Sequence, residues 1–368
     1  MAALSIREQP QIICFATQGQ GHIEDERIRA LLDGVGVEQF AFERAHKLRS
    51  ALHLTKAIFT RRPRLVVMEG TGTAGGLVLL ITHALLGTSY VVSSGDAVGP
   101  FLGLSSRLLG VLGGLYERLL CRYCAGFVGW TPYLVGRALS YGAPRAMTAP
   151  GWTRSEPAPD ARTRIRRELG IPEQAIVVGL AGSLHWNERV GYVYGAELVE
   201  AVCRSSREDL YACIVGDGDG LERLRELAGD QLGKRVVLPG RVAPEQVPDY
   251  LAAFDLGSLS QSVDPVGAFR YTTKLSEYLA VGLPVISGET PLAYDLDGGY
   301  LWRLPGAAPW SASYLDALTE LLSSLDRAEL ERRREAASIA GRGELFDRSA
   351  QQRRMTAFIE DILASRES

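Results

Sequence analysis

RYTTKLSEYLAVGLPVIS, residues Arg270 to Ser287, reads as a helix followed by a short buried strand. Leu275, Tyr278 and Leu279 recur at the spacing of one helix face, Thr272, Thr273 and Lys274 stand at its start, and Pro284–Ser287 has strand length. Immediately upstream, FDLGSLSQS places another strand over Asp255–Ser260. Strand, helix and strand in that order make a βαβ unit, which requires a parallel sheet.

The same alternation runs outward in both directions. Strands are predicted at Ile176–Ala181, Leu210–Val215 and Arg235–Leu238, and in the first half at Gln11–Thr17, Arg64–Gly70, Ser89–Ser94 and Gly126–Trp130, most followed by a helical pattern. Between the two series the periodic pattern breaks at GWTRSEPAPD, Gly151 to Asp160, an interdomain linker by composition. A chain of 368 residues also exceeds what one hydrophobic core usually supports. The fold class is therefore α/β, with two Rossmann-like domains in tandem, residues 1–152 and 153–348. A last helix, 349–366, is expected to cross back onto the first domain. Its start is read as a capping box from Ser349 to Gln352, and Met355, Phe358, Ile359 and Ile362 line one face.

Composition narrows the function. Hydrophobic residues make up 46% and charged residues 23%, as in soluble α/β proteins. A net charge of −3 offers nothing to a nucleic-acid backbone, so a polymer-binding role is disfavoured. Lysine is scarce: Lys47, Lys56, Lys234 and Lys274 are the only four, so a lysine in a pocket carries weight. Cys14, Cys121, Cys124, Cys203 and Cys213 are odd in number and scattered, which fits free thiols in a reducing cytoplasm. Cys121 and Cys124 form C-x-x-C inside a helical pattern with no second ligand pair, so helix packing is expected there. The N-terminus has no apolar signal core and no span reaches membrane-crossing length. The stretch 98–115, VGPFLGLSSRLLGVLGGL, is apolar with a single arginine. Such a face is either buried or set against a membrane surface, and a peripheral membrane contact through 98–115 is the second expectation.

Two glycine clusters follow predicted strands. Thr17-Gln18-Gly19-Gln20-Gly21-His22 leads into a charged helix, where tight turns and helix N–H groups can approach a ligand, but Glu24 occupies the place of the third glycine of a dinucleotide fingerprint. Gly216-Asp217-Gly218-Asp219-Gly220 fits a nucleotide turn, an Asp-rich metal loop or a plain strand-to-helix connection. No further acidic ligands follow at calcium-loop spacing, which counts against the metal.

The ordered set Leu238-Pro239-Gly240-Arg241-Val242, a Pro244-initiated helix, FDLGSLSQS and RYTTKLSEYLAVGLPVIS resembles the nucleotide-binding domain of family 4 retaining glycosyltransferases. The resemblance covers most of the chain, strongly over Gly179–Gly288. It implies the GT-B fold, with two Rossmann-like domains facing across a cleft. It also implies transfer of a sugar from a nucleoside-diphosphate sugar, with retention, to an acceptor held by the first domain: a sugar, a lipid-linked or a small molecule. Cations and a helix N-terminus suffice for the diphosphate, so no metal or other cofactor is expected, and the scattered cysteines point to the cytoplasm. Carried over residue by residue, Arg241 and Val242 match the loop that holds the base by main-chain contacts, and Glu277 the glutamate that takes the ribose hydroxyls. Thr272, Thr273 and Lys274 stand where the diphosphate is bound, with Gly182, Ser183 and Arg189 beside the donor phosphates and Gly216 as a further donor-side glycine. In the first domain Asp96, at a strand end where family members have a histidine, is assigned to sugar contact, with capping of the following helix as the alternative, and Gly19, Gly21 and His22 to the acceptor side. Asp96, Arg189 and Lys274 are the catalytic candidates.

One departure stands out: the first of the family's two glutamates, eight positions before Glu277, is Phe269 here. Asp264, Arg270 or main-chain groups would then replace it. Two rivals follow: a sugar-nucleotide epimerase or phosphorylase on the same fold, and a non-catalytic GT-B partner subunit that has lost donor binding.

Overall fold

The computed structural model describes residues 12–152 and 156–365. The strand start expected at Gln11, positions 153–155 of the linker and the last position of the 349–366 helix lie outside the described residues. Two compact units are present. The first takes the described residues up to Gly151, Phe269–Tyr271 and those from Asp347 onward, and the second takes the rest.

The first unit runs β1 (Ile12–Ala16), α1 (Ile23–Leu31), β2 (Val37–Gln39), α2 (Lys47–Arg61), β3 (Leu65–Glu69), α3 (Thr73–Leu86), β4 (Tyr90–Ser94), α4 (Val98–Gly103), α5 (Arg107–Arg122), β5 (Gly126–Gly129), α6 (Pro132–Ser140) and β6 (Ala146–Thr148). All strands are parallel, in the order β2-β1-β3-β4-β5-β6. Helices cover both faces, so β1, β3 and β4 are buried along their whole length and read as near-continuous apolar runs rather than alternating ones. Strand order reverses between β1 and β3, and in open α/β sheets ligands gather beyond the strand ends at that switch.

The second unit continues with α7 (Ala161–Glu168), β7 (Ile176–Ala181), α8 (Ala196–Arg204), β8 (Leu210–Val215), α9 (Leu221–Ala228), β9 (Val236–Gly240), α10 (Val247–Ala252), β10 (Leu256–Leu259), α11 (Lys274–Ala280), β11 (Val285–Gly288), α12 (Pro291–Asp295), β12 (Leu301–Leu304), α13 (Ala312–Ser324) and α14 (Arg327–Gly341). Its parallel sheet has the order β12-β11-β10-β7-β8-β9, with the switch between β7 and β10. One ionic knot ties its base. Buried Asp255 accepts from Arg166 Nη2 and Val177 N, each at 2.7 Å, from Arg162 Nη2 at 2.7 Å and from Arg334 Nη2 at 3.1 Å. Burial pushes its carboxyl up, but these arginines outweigh it and hold Asp255 below the usual range.

The final helix, α15 (Arg348–Ala364), belongs to the first unit. Met355, Ile359 and Ile362 are buried, and Phe358 and Ile362 lie over Gly126 so closely that a Cβ there would come within 2.6 Å of the Phe358 ring. The expected Ser349–Gln352 capping box is not formed. Asp347 caps the helix instead, accepting from Ala350 N at 2.6 Å, and Gln352 Nε2 donates to Ala30 O, also at 2.6 Å. A carboxylate two residues earlier is the stronger partner for the helix N-terminus.

Candidate functional site

In the second unit the carboxyl ends of β7, β8 and β9 are stitched into one edge. Gly182 N donates to Val215 O at 2.9 Å, and Gly216 N to Gly240 O at 2.9 Å. Gly216 has φ +149°, and a Cβ there would lie 1.8 Å from Gly182 O, so the turns after β7 and β8 fit only with glycine at this place. Arg241, exposed, and Val242, half-buried, follow directly after Gly240 on the same edge.

Lys274 reaches this edge at the β7–β10 switch. Its Nζ and Cε lie 3.1 and 3.0 Å from where a Cβ of Gly182 would stand, and the ammonium sits 5.9 Å from the centre of the Tyr194 ring. Burial pulls the Lys274 pKa down, with Glu277 opposing it. A cation so poorly solvated gains from any anion that enters. Thr272 and Thr273 are half-buried, and Thr273 O accepts from Glu277 N at 3.1 Å. The structure thus brings Gly182 and Lys274 together, with Glu277 near enough to act on the Lys274 charge. Ser183 and Arg189 are exposed on the loop after β7, and Arg189 N donates to Asn187 Oδ1 at 3.1 Å in a turn closed by Asn187 and Tyr192.

The Gly216–Gly220 carboxylates shape their own turn. Asp219 Oδ1 accepts from Trp186 N at 2.8 Å, which holds its pKa down, and Asp217 Oδ1 accepts from Gly218 N at 2.8 Å.

In the first unit a cavity of about 280 Å³ opens at the carboxyl ends of β1, β3 and β4, at the switch point. Gln18, Glu24, Gly70, Asp96, Phe101 and Leu102 are among its walls. Beneath it lies a buried ion pair: Arg27 Nη1 donates to Glu69 Oε2 at 3.1 Å and to Ser93 Oγ at 3.3 Å, Arg27 also donates to Ala149 O, and Trp130 Nε1 donates to Glu69 Oε1 at 3.2 Å. The guanidinium stacks 4.3 Å from the Trp130 ring. Burial pushes the Glu69 carboxyl up, and Arg27 draws it back.

Glu24 stands against this pair. Its Oε2 and Gln18 Oε1 are buried, and neither finds a hydrogen-bond partner among the described residues. Burial first, then the neighbouring Glu69 and Asp96, push the Glu24 pKa up to about 7. Gly70, at φ +80°, makes room: a Cβ there would lie 2.4 Å from Thr17 Oγ1 and 3.2 Å from Glu24 Oε2. Asp96 is half-exposed and accepts from Arg270 Nε at 3.2 Å. It does not cap α4, whose N-cap is Ala97.

Set beside known proteins, residues 175–324 match the family described as "Glycosyl transferases group 1". Among curated proteins none matches the chain. Solved structures share its fold. Anabaena Alr3699/HepE in complex with UDP superposes with a TM-score of 0.71 at 15% identity, covering 95% of this chain and 100% of that one. Sucrose-phosphate synthase from Thermosynechococcus elongatus gives 0.68 at 16%, covering 96% and 100%. A Listeria monocytogenes protein assigned as a UDP-N-acetylglucosamine 2-epimerase gives 0.63 at 13%, covering 96% and 97%. The chain has the GT-B fold.

In the first unit the glycine turn after β1 stands beside the cavity rather than in its wall. Gly19, Gly21 and His22 do not line the first-unit cavity, whereas their neighbours Gln18 and Glu24 do. His22 is exposed and serves α1, its Nδ1 accepting from Glu24 N at 3.4 Å, and Gly21 N donates to Asp25 Oδ2 at 3.1 Å. Glu24, marked in the sequence only as the residue that breaks the dinucleotide fingerprint, is a buried carboxyl of this cavity. In the second unit Glu197 is another buried carboxyl that the sequence does not single out. Buried at the start of α8, it takes hydrogen bonds from Tyr192 Oη at 2.6 Å, Ser258 Oγ at 3.2 Å and Ser260 Oγ, and nothing in its local sequence distinguishes it from a surface glutamate.

The structure also accounts for Phe269. Its ring stacks on Tyr133, with centroids 4.7 Å apart and planes 4° from parallel, and the Arg137 guanidinium lies 4.6 Å away. Arg137 is already held by both oxygens of Glu117 at 2.8 and 2.9 Å, so a carboxylate at 269 would be buried against an arginine whose charge is spent. Asp264 accepts from Val266 N and Gly267 N, each at 2.8 Å, and so shapes the loop. Cys121 and Cys124 are buried, and Cys124 Sγ donates to Cys121 O at 3.0 Å. Burial pushes both thiols up, Cys124 to about 12.

Proposed function

We propose that the chain transfers a sugar from a nucleoside-diphosphate sugar to an acceptor held by the first unit. The observation that carries this reading is the Lys274 ammonium, desolvated and packed on Gly182 at the β7–β10 switch of a group 1 glycosyl transferase domain. As the glycosidic bond to the diphosphate breaks, negative charge grows on the leaving phosphate. A preorganised cation in a poorly hydrated crevice stabilises that charge more than water would. Arg189 supplies a second cation from the loop after β7, Glu277 takes the ribose hydroxyls, and main-chain groups of Arg241 and Val242 hold the base. Asp96, Glu24 and Gln18 meet the acceptor or transferred sugar. Retention at the anomeric carbon rests on the resemblance of the Gly179–Gly288 segment.

HepE has been seen with UDP and with UDP-glucose, so uridine donors are the first to test. In a thermal-unfolding panel of nucleoside diphosphates and their sugars, at least one is expected to raise the Tm, since a ligand bound only by the folded state stabilises by mass action. Lys274→Ala is expected to weaken that ligand about tenfold or more, in line with the loss of a charge-assisted phosphate contact. Absence of protection by every nucleotide would overturn the reading and favour a GT-B subunit without donor binding, the alternative that Phe269 supports. Conversion of a nucleotide sugar without any acceptor would favour an epimerase. The five free cysteines suit a cytoplasmic reaction.

A further inference from the structure

The stretch 98–115 folds into a hairpin turned inside out. α4 and α5 meet along glycines: a Cβ on Gly99 would lie 3.0 Å from Gly114 Cα, and one on Gly110 would lie 2.8 Å from Gly103 Cα. With the seam closed backbone on backbone, the large side chains have nowhere to go but out. Phe101, Leu104, Leu108, Val111, Leu112 and Leu115 are all more than half exposed, against the burial that such a run ordinarily finds. The surface does not stop there. α3 packs beside α5, and α2 beside α3. Leu77, Ile81 and Leu85 of α3 and Leu48 and Leu52 of α2 are exposed to the same degree.

The exposed charges carried by α2, α3, α4 and α5 have one sign. Between Arg44 and Tyr116 the sequence carries eight arginines and lysines and two carboxylates, in a chain whose net charge is −3. Of those carboxylates Glu69 is buried with Arg27, and Asp96 pairs with Arg270. Lys47, Arg49, Lys56 and Arg107 are exposed on α2 and at the start of α5, where they border the leucines. An apolar face rimmed by cations complements a membrane surface of anionic headgroups over acyl chains. A second copy of the same face would bring its cations against their own kind. Phe101 and Leu102 also wall the first-unit cavity, so the exposed apolar surface runs into a site. No helix of the described residues is long and apolar enough to cross a membrane, so this face would lie on a bilayer rather than span it.

We infer that the first unit docks on anionic lipid bilayers through α2, α3 and the α4–α5 hairpin. The inference does not depend on the donor reading, because its test needs no turnover. The full chain is sedimented with phosphatidylcholine vesicles, with and without about 30% phosphatidylglycerol, a proportion chosen to give the surface a strong negative potential. It is expected to pellet with the anionic vesicles, to remain largely in the supernatant with the neutral ones, and to be released in part as salt is raised. The triple variant Leu108→Glu, Leu112→Glu, Leu115→Glu is expected to partition on the order of a hundredfold less. Those side chains are already in water, so its Tm should match that of the wild type. Lys56→Glu with Arg107→Glu is expected to lose the preference for anionic vesicles while keeping the Tm. Wild-type protein that stays in the supernatant with anionic vesicles would overturn the inference. So would equal binding to neutral vesicles, unchanged binding by the triple variant, or a wild-type dimer in sedimentation equilibrium that the triple variant alone abolishes.

Discussion

Replacing Glu24 by glutamine should flatten the pH dependence of stability. The Glu24 pKa rises from an ordinary 4.5 to about 7 in the folded chain, because the carboxyl is buried beside Glu69 and Asp96. Between those two values the folded state keeps a proton that the unfolded chain has released. Stability therefore falls as pH rises through that window and levels off above it. Each pH unit of such a difference is worth about 1.4 kcal/mol, which would give roughly 3 kcal/mol across the window; partial solvent access reduces this to about 2 kcal/mol. Glutamine matches the shape and cannot ionise. Measured against the wild type by urea unfolding at pH 4.5, 6 and 8, Glu24→Gln should gain about 2 kcal/mol between the first and last, or about 4–8 °C in Tm for a unit of this size. Parallel stability curves for the two proteins would show that Glu24 is ionised throughout or fully solvated, and would remove the reason for placing a titrating carboxyl in the first-unit cavity.

Gly182→Ala would press a methyl group onto the Lys274 side chain, 3.0 Å from Cε, and should weaken nucleotide binding by about tenfold with less than about 1.5 kcal/mol lost in stability; calorimetry with the protective nucleotide tests it, and unchanged affinity would separate Lys274 from the donor. Asp255→Ala strips the partner from buried Arg166 and from Arg162 and Arg334, and urea unfolding should show a loss of about 3–5 kcal/mol. Because Asp255 is held below its usual pKa, its contribution is present above about pH 4 and fades as pH falls through the lower folded value.

Much of this was legible in the sequence. Core strands such as Ile176–Ala181 and Leu210–Val215 announce themselves because both faces are covered and every residue is apolar or small. The edge strands Val37–Gln39 and Ala146–Thr148 went unread, since three half-buried residues carry no period, and Leu301–Leu304 was hidden by an exposed arginine. The Gly182–Lys274 meeting could be anticipated only by the resemblance, as 92 positions of chain separate the two and no local pattern links them. Glu24 shows the limit more sharply. A glutamate in a run of charged residues looks solvated, and only the approach of β3 and β4 buries it. The hairpin glycines likewise signal flexibility in sequence, yet they are what lets two helices touch and turns their leucines outward.

The return of α15 to the first unit has a consequence for how the protein is made. Phe358 and Ile362 close the sheet over Gly126, and Gln352 ties down the end of α1, but they are synthesised roughly 200 residues after β6. At ribosomal speeds of about 5–20 residues per second, the first unit must wait some 10–40 s with that apolar groove open. In the interval the nascent chain presents a surface that a chaperone can hold, and the second unit, contiguous but for three residues, has the head start. The half that leaves the ribosome first is therefore the half that finishes last.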